Sequence, residues 1–295
     1  MPSMRELKNH IKSIKTTWQL ADAIKSISTA RYYRVSRLYK AFEVYAGKSY
    51  EMLGSVTSPF GEKIPAGRKC FVLLTGNRGL CGGYNTTLAA YFEGVIKDEA
   101  NPIIVVCGRW GETYFRNKHH IKIEKQFIFA DVPEYSEGSR LGEYLTELYE
   151  SGGADEVIFV FQKYKNLLSQ IPSKEVFLPV KTDEKAKNPD AGVYYPDRET
   201  AEKSLYANCL KNKAYSFLLE WASGAQAATM MAMRNASDSA RELKLELDLR
   251  LSRRRQWQVT SGVIETASSN ELINKPKDEI NSDYYDDNDN YNDKT

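Results

Sequence analysis

Gly76, Gly79, Gly82 and Gly83 stand between an apolar run, KCFVLLT, and a helical one, TTLAAYFEGVIKDEA. A glycine-rich turn leading from a strand into a helix is the setting in which backbone N–H groups can hold a phosphate. These residues are therefore the first candidates for chemistry. Their spacing is neither Gly-x-Gly-x-x-Gly nor a Walker run, because no Gly-Lys-Ser/Thr is present. A tight structural turn fits them better, and a nucleotide-binding α/β enzyme built on the turn from Gly76 to Gly83 stands as the alternative.

Other groups offer less. Among the three histidines, His119 and His120 sit beside Lys118 and Lys122, with Glu124 the nearest carboxylate downstream. That pattern reads as an exposed turn rather than a metal site. Cys70, Cys81, Cys107 and Cys209 are widely spaced and include no Cys-x-x-Cys pair, so buried, reduced thiols are expected. No catalytic residue, cofactor site or metal site is expected on this chain. The segment ARYYRVSRLYK interleaves Arg and Tyr, as a helix lying along a phosphate backbone would. Half of such a helix must be buried on a partner, however, and the net charge of the chain is only +2. Nucleic acid is not an expected partner.

The elements that would position these residues can be read from proline content and periodicity. With 27% charged and 42% hydrophobic residues, the composition is that of an ordinary folded protein. No run approaches the roughly 20 apolar residues of a membrane helix, and the start, MPSMRELKNH, lacks a secretory core, so a cytoplasmic location is expected. From Met4 to about Leu53 there is no proline, and Leu7, Ile11, Ile14, Trp18, Ala21 and Ile24 step by three and four. Val35, Leu38, Phe42 and Tyr45 extend the rhythm, which predicts a rod of roughly 75 Å. Pro59, Gly61, Pro65 and Gly67 end it.

The texture then changes. KCFVLLT, PIIVVCG, IKIEKQFIF, EVIFVFQKY and EVFLPV read as five strands, with TTLAAYFEGVIKDEA and SRLGEYLTELYESG as crossover helices. Strands alternating with helices predict a mostly parallel sheet. From about Arg198 to Glu265 proline is again absent. Ala225, Ala228 and Ala232 form a stripe of small residues that another helix could approach closely, and Leu243, Leu247 and Leu251 repeat further on.

The expected fold is α/β: a long antiparallel two-helix coiled coil from the N- and C-terminal segments, plus a central, mostly parallel, five-stranded α/β domain. The expected divisions are 1–58 for the first helix, 67–197 for the Rossmann-like domain, 198–270 for the second helix and 271–295 for a disordered acidic tail. Charge supports this division. Residues 1–48 carry ten Lys or Arg against three acids, whereas the end from Asp278 carries seven acids and one Lys.

Three segments together resemble the gamma subunit family of F-type ATP synthases, over about residues 3–270. They are MRELKNHIKSIKTTWQLADAIKSISTARYYRV, then LLTGNRGLCGGYNTTL, and finally SGAQAATMMAMRNASDSARELKLELDLRLSRRRQWQVT. The resemblance implies a non-catalytic rotor of a proton-translocating ATP synthase, turning inside a ring of alternating alpha and beta subunits. It further implies that the α/β domain sits at the foot, against the epsilon subunit and the c-ring, which would hold the chain at the cytoplasmic face of the cell membrane as a peripheral protein. A divergent rotor not used for bulk ATP synthesis is the alternative within the family.

By the same resemblance, Arg255, Gln256 and Thr260 would contact the beta subunits, matching Arg-Gln-x-x-Ile-Thr with Val259 in place of Ile. Lys25, Arg31, Arg34 and Arg37 would suit acidic loops on the ring. The sequence departs from the family at Ser223-Gly224, where the family has Ser-Glu, and at Ser261-Gly262 after Thr260. Glycine disfavours a helix interior by about 1 kcal/mol, so fraying or a bend is expected near Gly262.

Overall fold

The computed structural model describes residues 3–53, 67–116, 118, 121–180 and 197–273. The expectations for the breaker residues Pro59, Gly61 and Pro65, for His119 and His120, and for the acidic tail fall outside these residues. The chain divides into two compact units, one of residues 1–18 with 238–295 and the other of residues 19–237.

Helix α1 (Met4–Leu53) begins on a reciprocal cap. The Ser3 N–H donates to Glu6 Oε2 at 2.7 Å, and the Glu6 N–H donates to Ser3 Oγ at 3.2 Å, which satisfies two of the open donors of the first turn. In the smaller unit Leu7 is buried and Ile11, Ile14 and Trp18 are half-buried. The same unit holds the later part of α5 (Arg198–Ile273), where Ala240 and Leu247 are buried and Lys244 and Leu251 half-buried. A side chain on a lone helix stays in water, so the two segments cover each other along a seam stepping by three and four. The expected leucine stripe is shifted: Leu243 points out to solvent and Ala240 takes the inner position.

In the larger unit the inner face of α1 runs through Ala21, Ser28, Val35, Phe42, Ala46 and Ser49. The Cys209 thiol lies 3.1 Å from the Ser49 carbonyl, and the rings of Phe42 and Tyr215 are 4.9 Å apart. As α1 is followed backwards its partner position on α5 advances, so the helices are antiparallel. The expectation is corrected at Leu38 and Tyr45, which are exposed, while Tyr39 and Ala46 turn inward. A seam repeating every 3.5 residues selects those positions.

The sheet has the order β3-β2-β1-β4-β5, with β1 (Lys69–Leu74), β2 (Ile103–Cys107), β3 (Ile123–Phe127), β4 (Glu156–Tyr164) and β5 (Gln170–Leu178). The first four strands are parallel, and β5 pairs antiparallel with β4 through a short turn. That turn is shaped by Asn166, whose Oδ1 accepts from the N–H groups of Leu168 and Ser169, each at 2.9 Å. Strand β5 starts five residues before the predicted EVFLPV. It includes Pro172, which an edge strand tolerates because one side of its backbone needs no partner.

Both faces of the sheet are covered. On one side Cys70, Val72, Val105, Val157, Phe159 and Phe161 pack with Leu141 and Leu145 of α4 (Tyr135–Glu150), with Leu210, Phe217 and Leu218 of α5, and with Val35 of α1. On the other, Phe71, Leu73, Ile104, Val106, Ile158 and Val160 meet α2 (Tyr84–Ile96) and the short α3 (Arg109–Arg116). Burial on two faces explains why the strands read as continuous apolar runs. Helix α3 was not among the predicted elements; at eight residues it spans barely two turns, too short for a periodic signal.

Candidate functional site

The glycine turn closes on itself. The Gly76 N–H donates to Asn85 Oδ1 at 2.8 Å, and Asn85 Nδ2 donates to the Arg78 carbonyl at 3.1 Å. Leu80 has φ +64° and Gly82 φ +59°, and this left-handed backbone folds the turn back so that the Tyr84 N–H reaches the Cys81 carbonyl at 3.3 Å. Donors that a phosphate would need at Gly76 and Tyr84 are thus engaged within the protein.

What the turn does instead is pack. A Cβ on Gly82 would lie 3.8 Å from that of Ala232, and Cys81 and Tyr84 cluster with Ala225 and Ala228. The small-residue stripe of α5 therefore receives this turn, where the sequence suggested another helix. Tyr84 ties three elements together: its hydroxyl donates to the Trp221 carbonyl at 3.3 Å, and its own carbonyl accepts from Gln162 Nε2 at 3.0 Å. Gly224 belongs to the same contact, since a Cβ there would stand 3.4 Å from the Tyr84 hydroxyl. Helix α5 runs unbroken through Gly224 and Gly262. The helix is not interrupted at Gly262, as a penalty of about 1 kcal/mol is too small to break a helix propagating on both sides.

An ionic cluster joins α1 to this turn. Arg31 Nη1 lies 2.5 Å from Asp131 Oδ2, and Arg78 Nη2 lies 3.6 Å from the same oxygen. Asn77 Nδ2 donates to the Phe129 carbonyl at 2.7 Å and reaches Asp131 Oδ1 at 3.5 Å. Of the basic residues expected to face partners, Arg31 is thus committed inside the protein, and Lys25 pairs with Asp22 on its own helix. Arg34 and Arg37 are exposed, with no ion pair among the described residues.

A second polar centre lies beside the end of β4. Glu220 on α5 is 7% exposed, and its Oε1 accepts from the Tyr164 N–H at 3.1 Å. The Tyr164 hydroxyl lies 2.7 Å from that of Tyr32 on α1. Burial pushes the Glu220 carboxyl up to about 7. Burial also pushes the Cys70 thiol up to about 12 and the Cys107 thiol higher still; all four cysteines are buried and unpaired, which leaves them poor nucleophiles.

Arg255, Gln256 and Thr260 lie in the other unit, on a stretch of α5 that is almost wholly exposed from residue 252 to 270. The Thr260 hydroxyl donates back to the Gln256 carbonyl at 3.0 Å, and the Arg254 guanidinium stacks 5.6 Å over the Trp257 ring. Trp257, Val259, Val263 and Ile264 are each at least 60% exposed.

Sequence reasoning missed Asp131, Asn85, Tyr164 and Glu220. Glu220 carried a signal, as an acid within the apolar run of α5, SFLLEWA; Asn85 acts within its own turn, and Asp131 and Tyr164 depend on contacts between distant segments.

The comparisons with known proteins agree over most of the chain. The ATP synthase family profile matches residues 3–271. The ATP synthase gamma chain of Desulforamulus reducens is 30% identical over 274 residues, covering 90% of this chain and 97% of that one. Its counterpart from Moorella thermoacetica is 29% identical, covering 92% of this chain and 100% of the other. Among solved structures, a chain of the Euglena gracilis mitochondrial ATP synthase OSCP/F1/c-ring assembly matches with a TM-score of 0.68 at 16% identity, covering 92% and 94% of the two chains. A chain of the Tetrahymena thermophila central stalk and c-ring matches with a TM-score of 0.59 at 17% identity, covering 74% and 99%. At such identities the structural matches speak for the fold.

Proposed function

This chain belongs to the ATP synthase gamma-chain family, and on that footing we propose that it is the turning central stalk of an F-type ATP synthase. In this reading it couples ion flow through a membrane c-ring to ATP synthesis or hydrolysis in a ring of alpha and beta subunits. The observation that carries the reading is end-to-end similarity to gamma chains, 97% of the first relative's length and 100% of the second's being covered. The physical design agrees with it. A stalk that transmits torque has to be stiff, and the antiparallel α1–α5 pair supplies stiffness because each helix is braced by the other and by the sheet.

Catalysis in this reading resides in the surrounding ring. The stalk contributes asymmetry: three identical sites facing a lopsided shaft are held in different conformations, and turning the shaft moves each through binding, synthesis and release. Arg255, Gln256 and Thr260, with the exposed Trp257 and Val259 beside them, form the contact with the beta subunits. A guanidinium is suited to that task because it can grip a carboxylate with two hydrogen bonds at once. Arg34 and Arg37 are the better candidates for acidic loops, since Lys25 and Arg31 already have internal partners. The α/β layer over residues 67–197 acts as the foot against the epsilon subunit and the c-ring. The protein reaches the cytoplasmic face of the membrane through that assembly; no helix among the described residues is long and apolar enough to cross a membrane.

The test is reconstitution of the full chain with alpha and beta subunits of its own complex. Steady ATPase activity and ATP-driven rotation of a probe fixed to the chain are expected from the assembly. An assembly whose ATPase activity is unchanged by omitting this chain would overturn the reading.

A further inference from the structure

Three elements converge on Tyr164, the last residue of β4. Its backbone N–H is held by Glu220 of α5 at 3.1 Å, and its hydroxyl is held by Tyr32 of α1 at 2.7 Å. Glu220 itself is almost fully buried and takes part in no ion pair with Lys163, whose ammonium pairs with Glu175 at 2.5 Å. Burial is the chief reason this carboxyl resists a charge, and Glu175 adds to it. From α1 comes Tyr39, whose hydroxyl donates outward to the exposed Glu43 at 3.2 Å. Strand β5 contributes Glu175 and α2 contributes Tyr84, while Lys163 of β4 and Lys213 of α5 supply the nearby positive charge. A carboxylate left with one amide donor in such surroundings is held at a cost that a neutral carboxyl does not incur.

We propose that Glu220, Tyr164 and Tyr32 form a proton-linked latch, closed when Glu220 is a neutral acid and loosened when it ionises, which fastens the β4–β5 hairpin to both long helices.

The chemistry is a single proton equilibrium. In the closed state the carbonyl oxygen of the neutral carboxyl accepts from the Tyr164 amide. Loss of the proton to solvent places a negative charge beside Glu175, and repulsion and the demand for hydration both favour opening toward water. Desolvation, reinforced by Glu175 and offset in part by the Tyr164 N–H, Lys163 and Lys213, sets the carboxyl to titrate at about 7. The latch would therefore respond within the range in which cells operate.

Hydrogen exchange of the Tyr164 amide in the full-length chain tests this, measured from about pH 6 to about pH 8 and corrected for the intrinsic rise in exchange with pH. One linked proton predicts that the opening equilibrium climbs toward about tenfold per pH unit below the Glu220 value and levels off above it. In Glu220→Gln, which keeps an amide acceptor but cannot ionise, the corrected rate should be flat. Tyr32→Phe should exchange faster at every pH and retain the slope. An isotope-edited carboxyl signal of Glu220 in the unmodified chain provides a measurement independent of any variant, and it should titrate near neutrality. The proposal is overturned if that signal titrates in the ordinary glutamate range, or if Glu220→Gln keeps the slope of the parent.

Discussion

Gly138 of α4 lies so close to Tyr215 of α5 that a Cβ built on the glycine would stand 2.5 Å from the Cβ of the tyrosine. One turn along, a Cβ on Gly142 would come within 3.1 Å of the Lys211 Cα. The two glycines give α4 a flat face, and the backbone of α5 settles directly onto it. This contact fixes how α5 crosses the sheet, because no side chain stands between the helices to act as a spacer.

Gly138→Ala should therefore destabilise the protein by about 2 kcal/mol, as overpacking between rigid elements does. The midpoint of denaturant unfolding measures it. An unchanged midpoint would mean that the helices separate more easily than their packing implies.

The opposite sign is expected at Gly262, where an added Cβ meets nothing within 4 Å and the helix is exposed. Gly262→Ala should favour the helical state of the α5 end by up to about 1 kcal/mol. Slower amide exchange over residues 258–268 would report it.

Asp131 holds Arg31 at 2.5 Å and lies within reach of Arg78 and Asn77. Asp131→Ala removes the acceptor shared by α1 and the glycine turn, and is expected to cost about 1.5 kcal/mol in unfolding free energy. Raising the salt concentration should narrow the gap between variant and parent, since half-buried pairs are partly screened.

Stability should also depend on pH through Glu220. Its carboxyl is raised from 4.5 to about 7, so between those values the folded state holds a proton that the unfolded chain has released. The stabilising contribution is complete below about 4.5 and is lost as pH rises through about 7. The full loss is on the order of 3 kcal/mol. Glu220→Gln should melt at nearly the same temperature at either end of that range, while the parent melts lower at the upper end.

Arg255→Ala combined with Gln256→Ala should leave the isolated chain folded, with an unfolding midpoint changed by less than about 0.5 kcal/mol, because both side chains are exposed. In a reconstituted assembly the same double variant should pump fewer protons per ATP hydrolysed. Unimpaired pumping would remove these residues from the contact with the beta subunits.

Much of the architecture is legible in the chain itself. Proline-free stretches with three-and-four spacing mark both long helices, and apolar runs such as KCFVLLT and EVIFVFQKY mark strands buried on two faces. These signals are local: the period of the hydrophobic residues is set by helix or strand geometry over a few neighbours. Basic residues were equally visible, but their use was not. Lys25 and Arg31 look alike in sequence to Arg34 and Arg37; only folding brings Asp131 from one hundred positions away to Arg31, while Lys25 is paired locally with Asp22.

Local pattern therefore determined the longer elements, their order and the class of fold, though not the short α3. Tertiary structure decided which face of each helix turns inward, placing Tyr39 and Ala46 inside and Leu38 and Tyr45 out. It also decided that the small stripe of α5 receives a glycine turn, and that Glu220 meets the end of β4. Such choices depend on the shape of a surface assembled from segments distant in the chain, and no single segment carries that shape.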